Sequence, residues 1–409
     1  MEIIRMLSDP SAWQRFFEHK CAGGHLSRQQ EEDLREFIDS QQYLQPVQRI
    51  QAGSNFAPPK KASISKLHSD KKRIVYIYPR EENYTLKFLT FLLQEKYDHL
   101  FAPNLYSFRP GTGVRHAINA ITKHPGSRGM WCYKVDIQNY FNSVPVENLL
   151  PLLASVLKED MDIYHFLATL LTDDRVEDQG VIRHEKKGIM AGSPISTFLS
   201  NLYLSDLDWE FHRKKILYAR YSDDIILFAS TESEREAYIN TVQKALSSAG
   251  LSVNPSKELT AAPGEQWVFL GVSYLNGVID VAPASVDKLK AKMRRKARAL
   301  MRWKVKKQAT GENAAKAFIR VFRRKLFSND CEHELTWTRW YFPLITTADS
   351  LRVIDQYSQS CIRYLVTGTH TKAAYNCRYE DMKALGYVSL VHCYYNHIHH
   401  PEISQKTVD

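Results

Sequence analysis

The stretch YSDDIILFAS, residues 221–230, sets two adjacent aspartates, Asp223 and Asp224, at the mouth of an apolar run. The run reads as a buried strand. Carboxylates held there repel each other and lose hydration, so a fold that keeps them must supply compensating positive charge. A third carboxylate stands upstream: WCYKVDIQNYF, residues 131–141, begins as a strand and carries Asp136. Two strands whose carboxylates meet at one edge present hard oxygen ligands suited to Mg2+. A pair of such ions about 4 Å apart activates an attacking hydroxyl and stabilises a leaving oxygen in phosphoryl transfer. Tyr-x-Asp-Asp by itself is weak testimony, because a hairpin turn with solvated aspartates has the same sequence.

The surroundings read as an α+β body. Residues 1–55 are helical in pattern, with a Ser cap ahead of RQQEEDL. SNFAPPKKASISK reads as a loop or arm broken by Pro58-Pro59, RIVYIYP (73–79) as a strand, and NYTLKFLTFLLQEKYDHLF as a helix. Residues 146–172 and 193–214 each read as one helix. KILYARYSDDIILFAS is a hairpin turning near Ser222-Asp223, and WVFLGVSYLNGVIDVAP a second one turning at Asn276-Gly277. Between them SEREAYINTVQKALSSAGL is an amphipathic helix closed by Gly250. From Ala284 onward the pattern is mainly helical, and no internal repeat is present.

Charge is concentrated in that last region. Sixteen Lys/Arg face one acid, Glu312, between Lys288 and Lys325, a net +15 against +10 for the whole chain, which leaves −5 elsewhere. Such a segment suits a polyanion; the plainer alternative is a solvated helix face. KLKAKMRRKARALMRWKVKK lacks Pro and Gly and reads as a helix. Leu289, Met293, Leu300 and Trp303 are expected to face the body, with Arg294, Arg295, Arg298 and Arg302 reaching phosphates. No apolar run of membrane-spanning length and no secretory signal is expected, and six scattered cysteines fit reduced thiols in a cytoplasm.

Taken in order, the motifs resemble those of reverse transcriptases. YKVDIQNYFNSV is similar to their first palm motif, KKGIMAGSPISTFLSNLYLSDLD to the second, YSDD to the third, AGLSVNPSKE to the fourth and FLG (269–271) to the primer-grip hairpin. LYSFRPGTGVRHAINAI resembles a fingers motif of bacterial members, including group II intron, retron and defence-associated types. The resemblance covers about residues 70–280. It implies a right-hand polymerase of α+β class: an N-terminal helical extension (1–55), fingers (56–130), a palm with an RRM-like antiparallel sheet (131–282), and a basic helical thumb (283–409).

The same resemblance implies roles. Asp136, Asp223 and Asp224, with the backbone of Ile137, would hold two Mg2+ ions, Mn2+ being a substitute. Lys72, Arg73 and Arg109 would clamp the incoming dNTP, Arg109 by its bidentate fork. Phe141 would lie under the sugar and exclude a 2′-hydroxyl, with core packing as its alternative role. Gly192 and Pro194 would shape the backbone under the templating pair, and Ala191 and Gly192 would lie against the incoming dNTP, although many relatives carry Gln where Ala191 stands. Lys257 would protonate the departing pyrophosphate, unless it is simply a solvated lysine. Phe269, Leu270 and Gly271 would contact the primer. The expected partners are dNTPs, the cDNA product and a structured noncoding RNA serving as template and scaffold. LGYVSLVHCYYN (385–396) is similar to C-terminal segments of bacterial antiphage reverse transcriptases. With no second acidic triad or endonuclease motif, the expectation is a stand-alone polymerase in antiviral defence. An intron-type maturase, a catalytically dead RNA-binding module and a diguanylate-cyclase-like palm enzyme are the alternatives. His392, Cys393, His397, His399 and His400 are too irregularly spaced to favour a metal site.

Overall fold

The computed structural model describes residues 2–23, 26–65, 72–327 and 337–399. They belong to two compact units, one ending at Leu270 and the other beginning at Gly271.

The first unit opens with four helices, α1 (Glu2–Ser8), α2 (Pro10–Ala22), α3 (Arg28–Asp39) and α4 (Leu44–Gln51). Two of them, α2 and α3, start on local capping chemistry: Asp9 accepts from Ser11 N at 2.9 Å, and Ser27 and Gln30 form a reciprocal capping box. The helices bury Trp13, Phe16, Phe37 and Tyr43, and Trp13 lies 4.2 Å between ring centroids from Phe88 on α5 (Arg80–Tyr97). Helix α6 (Val114–Thr122) follows.

Nine strands are described in this unit: β1 (Lys60–Ser65), β2 (Lys72–Ile77), β3 (Trp131–Asp136), β4 (Arg175–Asp178), β5 (Val181–His184), β6 (Tyr218–Tyr221), β7 (Asp224–Ala229), β8 (Leu259–Ala261) and β9 (Trp267–Phe269). The central sheet runs β6-β7-β3-β8, every neighbour antiparallel. Its central strands β3 and β7 are mostly buried, and α12 (Glu232–Ser248) packs against both. A second sheet runs β2-β1-β4-β5. Residues 60–65, read from sequence as part of an arm, are a strand after all: their backbone pairs with β2 from Lys60↔Ile77 to Ser65↔Lys72. The β4–β5 hairpin turns on Gln179 and Gly180, both at positive φ (54° and 84°).

Helix α7 (Tyr140–Ser143) follows β3. The span 146–172 is two helices, α8 (Val146–Val156) and α9 (Met161–Thr172), because Asp160 leaves the helical path to accept from Lys96 Nζ (2.8 Å) and Tyr97 Oη (2.7 Å). The span 193–214 is likewise α10 (Ser196–Tyr203) and α11 (Ser205–Arg213), broken at Leu204.

The second unit begins with a hairpin, β10 (Val272–Leu275) and β11 (Val278–Val281), a segment the sequence reading had grouped with the palm. Its turn is Asn276 (φ 49°) and Gly277 (φ 90°), the left-handed pair that a two-residue hairpin demands. Then come α13 (Pro283–Lys307), α14 (Gly311–Phe327), α15 (Trp337–Tyr341), α16 (Asp349–Thr367), α17 (Tyr379–Ala384) and α18 (Leu390–His399), with α13, α14 and α16 packed on one another. Buried Asp355 on α16 accepts from Tyr387 Oη, Ser389 Oγ and the N–H groups of Leu390 and Val391 at 2.6–3.1 Å. It thereby caps α18 and gives the LGYVSL segment its shape. Leu289, Met293 and Leu300 on α13 face inward as expected; Trp303 does not, being 41% exposed. No helix among the described residues is long and apolar enough to cross a membrane.

Candidate active site

The register of β3 with β7 pairs Asp136 directly with Asp224. Like charges so opposed are destabilising without a cation between or beside them. Asp223 sits in the β6–β7 turn, where Ser222 takes φ 60°, and its carbonyl accepts from the N–H of Ile137 at 2.9 Å. The backbone thus clasps the turn to the end of β3. Asp136, only 4% exposed, receives Lys257 Nζ on Oδ2 at 2.6 Å and Asn254 Nδ2 on Oδ1 at 3.3 Å. Lys134 Nζ approaches Asp224 Oδ1 to 2.9 Å. That contact is an ion pair without hydrogen-bond alignment, and the buried oxygen has no hydrogen-bond partner. Burial first, then the charges of Asp136 and Asp224, push the Asp223 carboxyl above the ordinary aspartate pKa.

Among the described residues no three Asp, Glu, His or Cys side chains stand close enough to grip an ion as they are oriented. This holds for the described part of the C-terminal His/Cys cluster as well, while the His399 side chain and His400 lie outside it. The donor chemistry of the three aspartates nevertheless fits a hard divalent cation. They are all-oxygen ligands, one of them a buried oxygen lacking a hydrogen bond, with two lysines already acting as counter-ions.

Behind the turn lies a polar cage that the motif reading missed. Arg220 and Asp208 are both wholly buried, the guanidinium meeting Asp208 through Nε at 2.8 Å and Nη2 at 2.5 Å. Tyr218 Oη donates to the same carboxylate at 2.9 Å, and Arg220 Nη2 to the carbonyl of Asn201 at 3.1 Å. Ser107, from the LYSFRPG stretch, accepts from the N–H of Ser222 at 2.9 Å and is itself held by Asn201. The one available signal was the presence of Arg and Asp in runs otherwise apolar enough to be core.

On the other side of β3, Asn139 at φ 49° turns the chain into α7 and Phe141. Phe141 is half-buried, edge-on to Phe108 at 6.4 Å, with Tyr221 beyond Phe108 at 6.3 Å. Phe108 itself holds φ 54°, a left-handed conformation unusual for a bulky residue. The Phe141 carbonyl accepts from Ile189 N, and a side chain at Gly188 would strike it at 2.6 Å. Ala191 donates its N–H to Asn142 Oδ1 (2.8 Å) and accepts from Tyr76 N (2.7 Å). Asn142 also donates to the carbonyl of Ile74 at 3.2 Å, so it staples the 188–194 loop, α7 and β2 together; sequence reasoning passed it over. Gly192 (φ 98°) crosses β2 so closely that a Cβ would meet Val75 Cβ at 3.0 Å. Arg73 is exposed on β2, and the Lys72 side chain lies outside the described residues.

Two expectations need correction. Arg109 is no free phosphate clamp: its fork binds Asp98 Oδ1 and Oδ2 (2.7 and 3.0 Å) and the carbonyls of Ala102, Leu105 and Asp98. All five N–H donors are committed to its own loop. The FLG triplet also differs: Phe269 is fully buried and so packs in the core. At Gly271 (φ 85°), following Leu270 (φ 48°), what a Cβ would meet is the Tyr341 hydroxyl at 3.0 Å. Arg294, Arg295, Arg298 and Arg302 are exposed on α13, as read from sequence.

Two curated relatives align. A 91 kDa protein in the cob intron of Schizosaccharomyces pombe is 30% identical over 159 residues, 38% of this chain and 19% of its own length. Protein YkfC of Escherichia coli is 24% identical over 207 residues, 41% of this chain and 53% of its own. Among solved structures, telomerase from Candida tropicalis in complex with a telomeric RNA fragment aligns with TM-score 0.46 and 12% identity. That alignment covers 81% of this chain and 64% of the telomerase chain. Residues 60–274, which hold the three aspartates, Phe141 and the 188–194 loop, match the family described as reverse transcriptase (RNA-dependent DNA polymerase), and the chain belongs to that family.

Proposed function

We propose that the protein synthesises DNA on an RNA template by phosphoryl transfer. The observation that carries this reading is the cross-strand pairing of Asp136 with Asp224, with Asp223 in the adjoining turn, inside the family match. In it, Asp136, Asp223, Asp224 and the Ile137 backbone hold Mg2+, for which Mn2+ can substitute. When bound, the ions lower the cost of ionising the primer hydroxyl and of charge on the departing pyrophosphate. Phe141 rejects a 2′-hydroxyl by steric clash, and Arg73, with Lys72, meets the triphosphate. Lys257, half-exposed beside Asp136, gives a proton to the leaving group. The 188–194 loop, stapled by Asn142, supports the nascent base pair. The exposed arginines of α13 hold the nucleic acid by its phosphates, as a thumb does.

The finer reading is a polymerase that works in the cytoplasm with its own structured noncoding RNA as template and scaffold, in antiviral defence. Its support is the similarity of residues 385–396 to antiphage enzymes. A second reading, an intron-type maturase that assists RNA folding, gains support from the relative located in a cob intron. Primer extension by the purified protein on an RNA template with dNTPs and Mg2+ tests the polymerase; no incorporation would sink it. Sequencing the RNA that co-purifies from the host, with and without phage challenge, separates the finer readings. A dedicated noncoding RNA copied into cDNA supports the first, and intron RNA without cDNA the second.

A further inference from the structure

We propose that the groove between α13 and α14 binds an unpaired stretch of nucleic acid, stacking a base on Trp303 while Lys296, Lys316 and Arg320 take the flanking phosphates. The inference shares with the polymerase reading only the need for a nucleic-acid partner. The groove measures about 740 Å³, and its lining includes those four residues, Leu300 and Ala317. Next to it a second groove of about 580 Å³ shares Lys316 and Arg320 and adds Arg323 and Phe327. An aromatic ring therefore stands in each groove, cations lie between the two rings, and no carboxylate lines either.

Helical geometry explains why Trp303 is left facing out. The inward arc of α13 is Leu289, Met293, Ala297 and Leu300, and Trp303 falls on its flank, 41% exposed. Arg294, Arg298 and Arg302 centre roughly 130° round the helix from Lys296, Ala299 and Trp303 at about 100° per residue, and Arg295 falls between the two sets, one turn from Ala299. The groove is thus centred on a different face from most of the arginine stripe. Base-on-aromatic stacking flanked by cationic phosphate contacts is how sequence-tolerant single-strand binding works. A duplex cannot use it, because its base faces are already stacked within the helix. A wide indole beside three cations, with Asn313 and no carboxylate in the lining, fits a phosphodiester with an open base face better than an acidic peptide, which offers charge and no ring.

The test is equilibrium binding of fluorescent oligo(rU), oligo(dT) and a blunt RNA duplex to the full chain, across salt concentrations. Trp303→Ala should weaken both single strands about tenfold and leave duplex affinity alone, while Trp303→Tyr restores most of the loss. Lys316→Ala/Arg320→Ala should reduce the single-strand salt slope by about 1.4. The relative loss for rU against dT tells whether RNA or DNA is the preferred source of the unpaired strand. Equal losses on duplex and single strand, or unchanged single-strand binding, would overturn the proposal. So would poly-glutamate binding as tightly as oligo(rU) and losing as much in Trp303→Ala. A wild type that binds duplex but neither single strand overturns the groove and spares the polymerase, whereas one that extends no primer yet shows the Trp303 effect does the reverse.

Discussion

An aspartate crowded by two others and stripped of hydration is costly as a carboxylate when no cation offsets it, so Asp223→Asn should separate folding from catalysis. Burial and the neighbouring Asp136 and Asp224 raise the Asp223 pKa in the folded state. Below the unfolded-state value the group is neutral in both states and nothing is lost; as pH rises through the folded value, its charge subtracts stability. In chelator, Asp223→Asn should therefore unfold at higher temperature than wild type at pH 7, by up to about 1 kcal/mol, with the gap closing towards pH ~4. The same variant should incorporate no dNTP. Melting curves over a pH series check the first half, and identical curves would show that the crowding is relieved in solution. Phe141 makes a different residue-level prediction, since its half-buried ring touches Phe108 and Tyr140 yet keeps an open side. Phe141→Ala should raise rNTP use relative to dNTP about tenfold or more, read by single-nucleotide incorporation on a variant verified as folded. An unchanged preference would return the ring to a packing role.

Elements, rather than single side chains, decide whether the catalytic turn holds its shape. Arg220 on β6 and Asp208 on α11 form a wholly buried pair beneath it. Arg220→Met should cost about 3–5 kcal/mol, because Asp208 is left charged and unpaired. Adding Asp208→Leu should recover part of that loss, giving a coupling of more than about 1 kcal/mol in a urea-denaturation double-mutant cycle. Additive losses would mean that the two are held independently. At this scale two hairpins were readable in advance, since Ser222-Asp223 and Asn276-Gly277 announce their turns and the flanking runs alternate or stay apolar; the β4–β5 hairpin was not. Strand β1 was not: Lys60, Lys61, Ser63 and Ser65 look like surface loop, and its pairing with β2 is visible only in three dimensions. Arg109 is a similar case: its partner Asp98 lies 11 residues upstream, at the end of a stretch read as helix, and spacing does not show that the loop folds back onto it. The break at Asp160 likewise comes from tertiary partners, Lys96 and Tyr97, and not from any local stop signal. Trp303 failed because spacing gives a helix its apolar arc but not where that arc ends.

For the molecule as a whole, the uneven charge is a property of association. Between Lys288 and Lys325 the net charge is +15. Neutralising Arg294, Arg295 and Arg298 together should weaken binding to many RNA sequences alike and reduce the duplex salt slope by up to about three. Affinity measured at several salt concentrations decides it; parallel lines of equal affinity would make the stripe mere solvated surface. The pairing of β3 with β7 bears on how this gene can change length. Side chains alternate along a strand, so one extra codon within 131–136 would send Asp136 to the opposite face and its neighbours with it, a fault no later substitution repairs. The tip of the β4–β5 hairpin at Gln179-Gly180 has no such constraint, because Val181 and Ile182 beyond it are exposed. A scan of single-codon insertions scored for polymerase activity should show a dead zone at 131–136 and 224–229 and tolerance near 179–180. Length variation among natural descendants of this chain should follow the same map.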